Sequence, residues 1–177
     1  MRIAAIIVAT ALAIPMAHAQ APTAAPSPAP VPEVMPFDIP YGLSINLEQA
    51  QKAIAAAAAE AKKHNWKMSI TVVGPAGDLV AHETMDGTQY ASIDISQAKA
   101  RTAAIYRRAS GLFQAAINTN NSPSTLSLLA ITHGAASEGG FPIVVDGKLV
   151  GAIGVSGGIF TQDAATAKAG LEALGVK

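Results

Sequence analysis

The pattern of apolar and polar residues, together with capping residues and helix propensity, predicts three helices. In the first, Asn46 and Gln49 form a capping-box start, and an alanine-rich run of strong helix propensity follows. In the second, apolar residues return every three to four positions. In the third, Thr161 is placed as the N-cap and Gly175 as the stop. The predicted helices cover residues 47–64, 92–109 and 162–174, and the segment 111–127 is predicted to be irregular.

Four β-rich segments fall into two pairs, and each pair is predicted to form a hairpin. The first pair is separated by the loop Gly74-Pro75-Ala76-Gly77-Asp78. The second pair flanks Asp146-Gly147, which is typical of a type I′ turn because both central positions need positive φ. The predicted strands are 68–73, 79–84, 141–145 and 149–156.

The order of these elements predicts an α+β sandwich. Two hairpins without a βαβ crossover favour a largely antiparallel sheet, and amphipathic helices must bury their apolar faces against it. We expect the folded unit to span residues 42–177.

The first nineteen residues are typical of a secretory signal. Met1-Arg2 is a positively charged start, Ile3 to Ile14 is apolar, and Ala17-His18-Ala19 is a small-residue cleavage site. The twelve-residue apolar run is shorter than the ~20 residues that span a bilayer. We therefore expect a signal peptide at 1–19, a mature chain without a membrane span, and a periplasmic or secreted location.

The next segment is rich in proline. Seven of the eleven prolines lie between Gln20 and Pro40 among alanine and serine, a composition that favours extended polyproline II and cannot bury a core. We predict a disordered linker over residues 20–41.

Charge and cysteine content exclude several function classes. Twelve Lys and Arg residues balance twelve Asp and Glu residues, so no bulk positive field points to nucleic acid. Because the chain has no cysteine, disulfides, thiolate nucleophiles and cysteine-based metal sites are excluded.

Two short motifs look catalytic but lack essential partners. Gly154-Val155-Ser156-Gly157-Gly158 matches a nucleophile elbow, yet no histidine follows Ser156 to act as base. His82-Glu83-Thr84-Met85-Asp86 lacks the second histidine of a zinc-protease box. We therefore favour a protein that is not an enzyme.

A basic helix and a loop histidine are better candidates for chemistry. Lys99 and Arg101 lie in the second predicted helix, where they form either a solvated basic face or an anion site. His133 lies before the second hairpin and is either an idle loop residue or a ligand for iron.

Several short motifs follow one another in order over residues 44–174. As a set, these motifs resemble the GlcG/HbpS-like family of small haem-binding proteins, especially its GlcG-type branch. The motifs are Asn65-Trp66, Ser69-Ile70, Gly77-Asp78-Leu79-Val80-Ala81, Met85-Asp86-Gly87, Lys99-Ala100-Arg101-Thr102-Ala103, Gly139-Gly140, Pro142-Ile143, Asp146-Gly147 and Val150-Gly151-Ala152-Ile153-Gly154-Val155-Ser156-Gly157. The resemblance implies a profilin-like sandwich with a five-stranded antiparallel sheet flanked by helices. It also implies dimer-based homo-oligomers, such as tetramers or octamers, and haem as the ligand.

The resemblance further implies a ligand site. His133 is the first choice for the iron ligand and His82 the second, with Lys99 or Arg101 pairing with the propionates. The residues expected around the pocket are Thr132, His133, His82, Met85, Lys99, Arg101, Gly139 and Gly140.

We therefore expect a haem-binding protein that scavenges, buffers or presents haem. One alternative is a binding protein or enzyme for a small carboxylate, in which Lys99 and Arg101 clamp the acid and Asp86 or Glu138 is the base. Another is a purely structural oligomer.

Overall fold

The computed structural model describes residues 30–120 and 122–176. It divides after Val34 into two units, and the second unit, Met35–Lys177, carries all of the helices and strands named below. Residues 30–34 contain no helix or strand. The predicted signal peptide and the predicted linker up to residue 29 lie outside the described residues.

Five helices and four strands occur in the described part of the chain. Their bounds are α1 Leu47–Lys63, β1 Ser69–Val73, β2 Leu79–Thr84, α2 Ala91–Ile105, α3 Gly111–Asn120, α4 Pro123–Ile131, β3 Gly140–Val145, β4 Lys148–Ser156 and α5 Phe160–Ala173.

The four strands form an antiparallel sheet in the order β2-β1-β4-β3. The five-stranded sheet that the resemblance implied is therefore wrong by one strand within the described residues. The segment before α1 contributes only a bridge, in which Leu149 donates to the Pro40 carbonyl and accepts from the Gly42 amide, each at 2.8 Å. This segment stays short because proline has no N–H to extend a ladder and Asn46 already caps α1.

The two faces of the sheet differ in chemistry because side chains alternate along each strand. One face is apolar and carries Ile70, Val72 and Ile153 against the alanine-rich faces of α1 and α5. The opposite face carries small residues such as Thr71 and Gly154 against α2. A side chain at Gly154 would overlap the α2 backbone, so this glycine allows the helix to lie directly on β4.

Two predicted local features are confirmed. At the start of α1, the Gln49 amide donates to Asn46 Oδ1 at 2.8 Å, and the Asn46 amide donates to Gln49 Oε1. In the second hairpin, Asp146 and Gly147 have φ of 48° and 74°, the left-handed pair that a type I′ turn needs.

The segment 111–127 was wrongly predicted to be irregular, because it contains α3 and most of α4. Its Asn-rich middle separates two short helices. Pro123 is the first residue of the second helix, a position where the backbone N–H would have no partner within the helix, so proline is tolerated there. The predicted cap Thr161 was also wrong: α5 begins at Phe160, two residues before the predicted start, and its N-cap is Ile159.

Candidate functional site

His133 directly follows the C-terminal end of α4. Its backbone is left-handed, with φ of 51°, and its side chain is exposed. Among the described residues, none forms a hydrogen bond or ion pair with its imidazole ring. With respect to residues 30–120 and 122–176, both ring nitrogens are therefore without a partner.

The neighbouring Thr132 is fixed by contacts from Arg101 of α2 and from Tyr106, which follows α2. Arg101 Nε donates to the Thr132 carbonyl at 3.0 Å, and the Tyr106 hydroxyl lies 3.2 Å from Thr132 Oγ1. The Ala135 amide donates to Thr102 Oγ1 at 2.8 Å. These bonds fix residues 132–135, the corner after α4 that carries His133.

Helix α4 exposes apolar side chains beside this corner. Leu128 and Ile131 are 53% and 76% exposed, and their three-residue spacing places them next to each other on the helix surface. Leu129 is buried and anchors the opposite side of the helix. Large exposed apolar side chains that lie together are a feature of binding surfaces.

His82 is occupied by hydrogen bonds. Its Nδ1 lies 2.8 Å from Thr71 Oγ1 and its Nε2 lies 2.8 Å from Thr84 Oγ1. Thr71 in turn contacts Ser96 of α2, so the ring belongs to a hydroxyl network on the α2 face. Burial lowers the pKa of His82.

His64 is also engaged. Its Nε2 lies 3.2 Å from Glu60 Oε1, and its ring stacks on Trp66 with centroids 4.3 Å apart. Hydrogen bonds from Lys63 and then His64 lower the pKa of Glu60.

Lys99 lies inside the protein rather than at a pocket. Its side chain is 1% exposed, and its ammonium donates to Asp163 Oδ2 at 2.7 Å and to the Val155 carbonyl at 3.0 Å. Burial lowers the pKa of Lys99 and raises the pKa of Asp163, and each partner's charge opposes that shift. The ammonium is thus paired internally and is not presented to an external carboxylate.

The Arg101 side chain also binds within the protein, where it donates to main-chain carbonyls. Besides Thr132, it donates through Nη1 to the Gly77 carbonyl at 3.2 Å. It therefore connects the β1–β2 loop to the corner that carries His133. The structure brings Arg101 and Thr132 together, but it does not place Lys99 with them.

The other predicted pocket residues lie in structural positions. Met85 packs against the apolar core, and its amide donates to the Met68 carbonyl at 3.0 Å. A side chain at Gly139 or Gly140 would overlap neighbouring atoms, which include the Lys99 carbonyl for Gly140. Gly140 therefore permits close packing between β3 and α2, whereas Gly139 lies close to the Val155 carbonyl of β4 and the Asp163 side chain of α5.

A cleft elsewhere on the domain was not predicted. It has a volume of about 800 Å³ and lies beside the edge strand β3. Its lining residues are Phe37, Ile39, Arg107, Arg108, Ala109, Leu112, Phe141, Pro142, Val144, Lys168, Leu171, Glu172 and Val176. The sequence signal was an Arg-Arg pair between aromatic residues, but the partner strand and helix are distant in sequence.

Within the described residues, no group of three or more His, Asp or Glu side chains is arranged to hold a metal ion, and no helix is long and apolar enough to cross a membrane. A porphyrin iron needs only an axial ligand from the protein, and an imidazole is a common one. The imidazole of His133, which has no partner in the described part of the chain, fits that need.

Comparison with known proteins identifies relatives over most of the domain. Residues 45–172 match the family model described as "haem degrading protein HbpS-like". Protein GlcG of Escherichia coli is 39% identical over 112 residues, which cover 63% of this chain and 81% of GlcG.

Solved structures share the fold. A double mutant of Streptomyces reticuli HbpS superimposes with a TM-score of 0.69 at 28% identity, covering 86% of this chain and 99% of that one. The crystal structure of a PduOC:heme complex superimposes with a TM-score of 0.70 at 21% identity, covering 76% of this chain and 98% of that one. At that identity, the second likeness shows the fold alone.

Proposed function

The chain belongs to the HbpS-like family, and on that basis we propose that it binds haem at the C-terminal end of α4. The observation that carries this proposal is the imidazole of His133. Of the three described histidines, His82 and His64 are held by neighbouring side chains, whereas His133 is exposed and contacts no described polar side chain.

The surroundings of His133 suit a flat apolar ligand. Leu128 and Ile131 present apolar surface next to it, and covering that surface by a porphyrin would be favourable at about 25 cal/mol per Å² removed from water. The bonds from Arg101 and Tyr106 to Thr132 limit the motion of the corner. Such preorganisation lowers the entropic cost of binding.

Each residue has a defined part in this proposal. With haem bound, His133 would supply an imidazole nitrogen to the iron, and Leu128 and Ile131 would supply apolar contact surface. Thr132 and Arg101 position the histidine. When bound, haem supplies a redox-active iron.

The small-carboxylate alternative is less well supported. It required Lys99 and Arg101 to clamp one acid, but Lys99 is buried against Asp163 and Arg101 donates to two main-chain carbonyls. Among the described residues, neither Asp86 nor Glu138 forms a hydrogen bond or an ion pair with Lys99 or Arg101, although the charge of Glu138 acts on Lys99.

We also propose export and self-association. The signal-like sequence at residues 1–19 supports a periplasmic or secreted location. Determining the N-terminus of the mature protein tests export, and Gln20 is the expected first residue.

The proposal of self-association rests on apolar surface. The exposed Ile131 and Leu128 support contacts with a second subunit as well as with haem. Light scattering with and without hemin measures the oligomer directly.

A hemin titration tests the haem proposal. The purified protein should give a saturable change in the Soret band at a fixed ratio of hemin to subunit, with an inert protein as control. Iron-free protoporphyrin IX should bind more weakly, because it gains no bond to His133. Linear, unsaturable association of hemin would contradict the proposal.

A further inference from the structure

We propose that the cleft beside β3 binds an amphipathic organic anion, meaning an apolar body that ends in a carboxylate. The cleft is distinct from the surface around His133, and this inference is independent of haem binding. Its support is the combination of an apolar lining with two cations, Arg108 and Lys168, that have no carboxylate partner among the residues that the structure describes.

The shape of the cleft suits a small molecule. Its volume of about 800 Å³ lies within the usual range of roughly 300–1,000 Å³ for ligand sites. Phe141 and Val144 of β3 form one wall, and Leu171 of α5 forms part of another. A ligand with an apolar body would remove these side chains from water.

Arg108 is the first of these two cations. Its guanidinium lies between two aromatic rings, 4.5 Å from the centroid of Phe37 and 4.4 Å from that of Phe113. No carboxylate of the described residues is within ion-pair distance, and its buried Nε has no hydrogen-bond partner there. The guanidinium is therefore held in place with unused donors.

Lys168 is the second of these two cations. Its ammonium lies 5.6 Å from the centroid of Phe141 and forms no ion pair with a described residue. Arg107 differs, since it pairs with Asp38 at 3.3 Å. Glu172 is the one carboxylate among the lining residues, so the cleft has an excess of positive charge.

These features define the class of ligand. Guanidinium and ammonium groups pair well with a carboxylate, and a partly desolvated site strengthens that pairing. A small polar acid such as glycolate would leave most of the apolar wall exposed to water. An aromatic or medium-chain carboxylic acid would satisfy both the cations and the wall.

Residues 37–39, in the segment before α1, close one side of the cleft. Phe37 lines it and stacks on Arg108, while Arg107 donates to Asp38 Oδ1 and to the Ile39 carbonyl. Phe37 has a left-handed backbone, with φ of 60°. A bound acid at Arg108 would therefore contact this segment as well as the sheet.

Calorimetry with 2-naphthoate and decanoate tests the proposal, with 2-naphthalenemethanol as the neutral counterpart. We expect saturable binding of both acids and at least tenfold weaker binding of the alcohol. Arg108→Gln and Lys168→Gln should each weaken 2-naphthoate binding at least fivefold. Lys62→Gln, a substitution of an exposed lysine at the end of α1, should change nothing.

Several outcomes would overturn the proposal. They are no binding of either acid, equal binding of the alcohol, or unchanged affinity in Lys168→Gln, whose exposed side chain can be replaced without disturbing the core. The haem proposal is tested separately with His133→Ala, which should keep full 2-naphthoate affinity. Displacement of hemin by 2-naphthoate would contradict a separate site.

Discussion

The Lys99 ammonium lies 2.7 Å from Asp163 Oδ2, and both side chains are almost fully buried. This pair joins α2 to α5, which pack on opposite faces of the sheet. Asp163 also accepts from the Gly158 amide at 2.9 Å, and Lys99 donates to the Val155 carbonyl. The pair thus fixes the end of β4 between two helices.

Removing one partner of this pair should strongly destabilise the fold. Lys99→Met leaves the Asp163 carboxylate buried without its cation, a change that typically costs about 3–5 kcal/mol. Urea denaturation measures the free energy of unfolding, and Lys62→Met is the exposed control. The double variant Lys99→Met/Asp163→Leu should lose less than the sum of the single variants. A loss below ~1 kcal/mol in Lys99→Met would contradict this role.

Protonation of His82 should lower stability. Burial lowers its pKa in the folded protein, so the unfolded chain binds more protons near the ordinary value of about 6.5. The stability that His82 contributes is fully present above that pH and is lost as the pH falls through the lower, folded-state pKa. Urea denaturation between pH 8 and pH 5 should show a steeper loss in the wild type than in His82→Gln. Identical pH profiles in the wild type and His82→Gln would contradict this prediction. His64→Gln, which replaces an exposed histidine, is the control.

Gly154 should tolerate no side chain. An added Cβ would overlap the Ser96 carbonyl and the Ala100 amide of α2, so Gly154→Ala should cost about 3 kcal/mol or more, at the upper end of overpacking. Gly147→Ala meets no neighbouring atom and should cost only the ~1–2 kcal/mol of a left-handed residue. Thermal denaturation compares the two variants, and equal losses would contradict direct helix packing at Gly154.

The capping box of α1 should contribute measurably to stability. Asn46→Ala removes the acceptor of the Gln49 amide and should cost about 1 kcal/mol. Gln49→Ala should cost less, because its own bond to the Asn46 amide is longer, at 3.4 Å. If chemical denaturation finds no difference between Asn46→Ala and the wild type, the cap is unimportant.

Local chemistry explains why much of the fold was predictable. The turn at Asp146-Gly147 and the cap at Asn46 depend on residues that are close in sequence, and both are present. The helices α3 and α4 were missed because their Asn- and Ser-rich sequences also suit loops, and burial of residues such as Phe113 and Leu129 favours the helix.

The site was harder to predict because it depends on distant partners. The sequence places Lys99 in a basic helix, but it does not indicate that Asp163 lies beside it in the fold. The sequence likewise does not indicate that Arg107 and Arg108 lie beside β3 and α5, which supply walls of the cleft. His133 remains a prediction, supported by its exposure and by the contacts that hold Thr132.

The most direct test compares hemin binding by His133→Ala and His64→Ala. Both histidines are exposed, but only His133 is assigned to the iron. The account predicts that His133→Ala shifts or abolishes the Soret band and weakens hemin binding at least tenfold, while His64→Ala behaves like the wild type. An unchanged Soret band and affinity in His133→Ala would contradict the assignment.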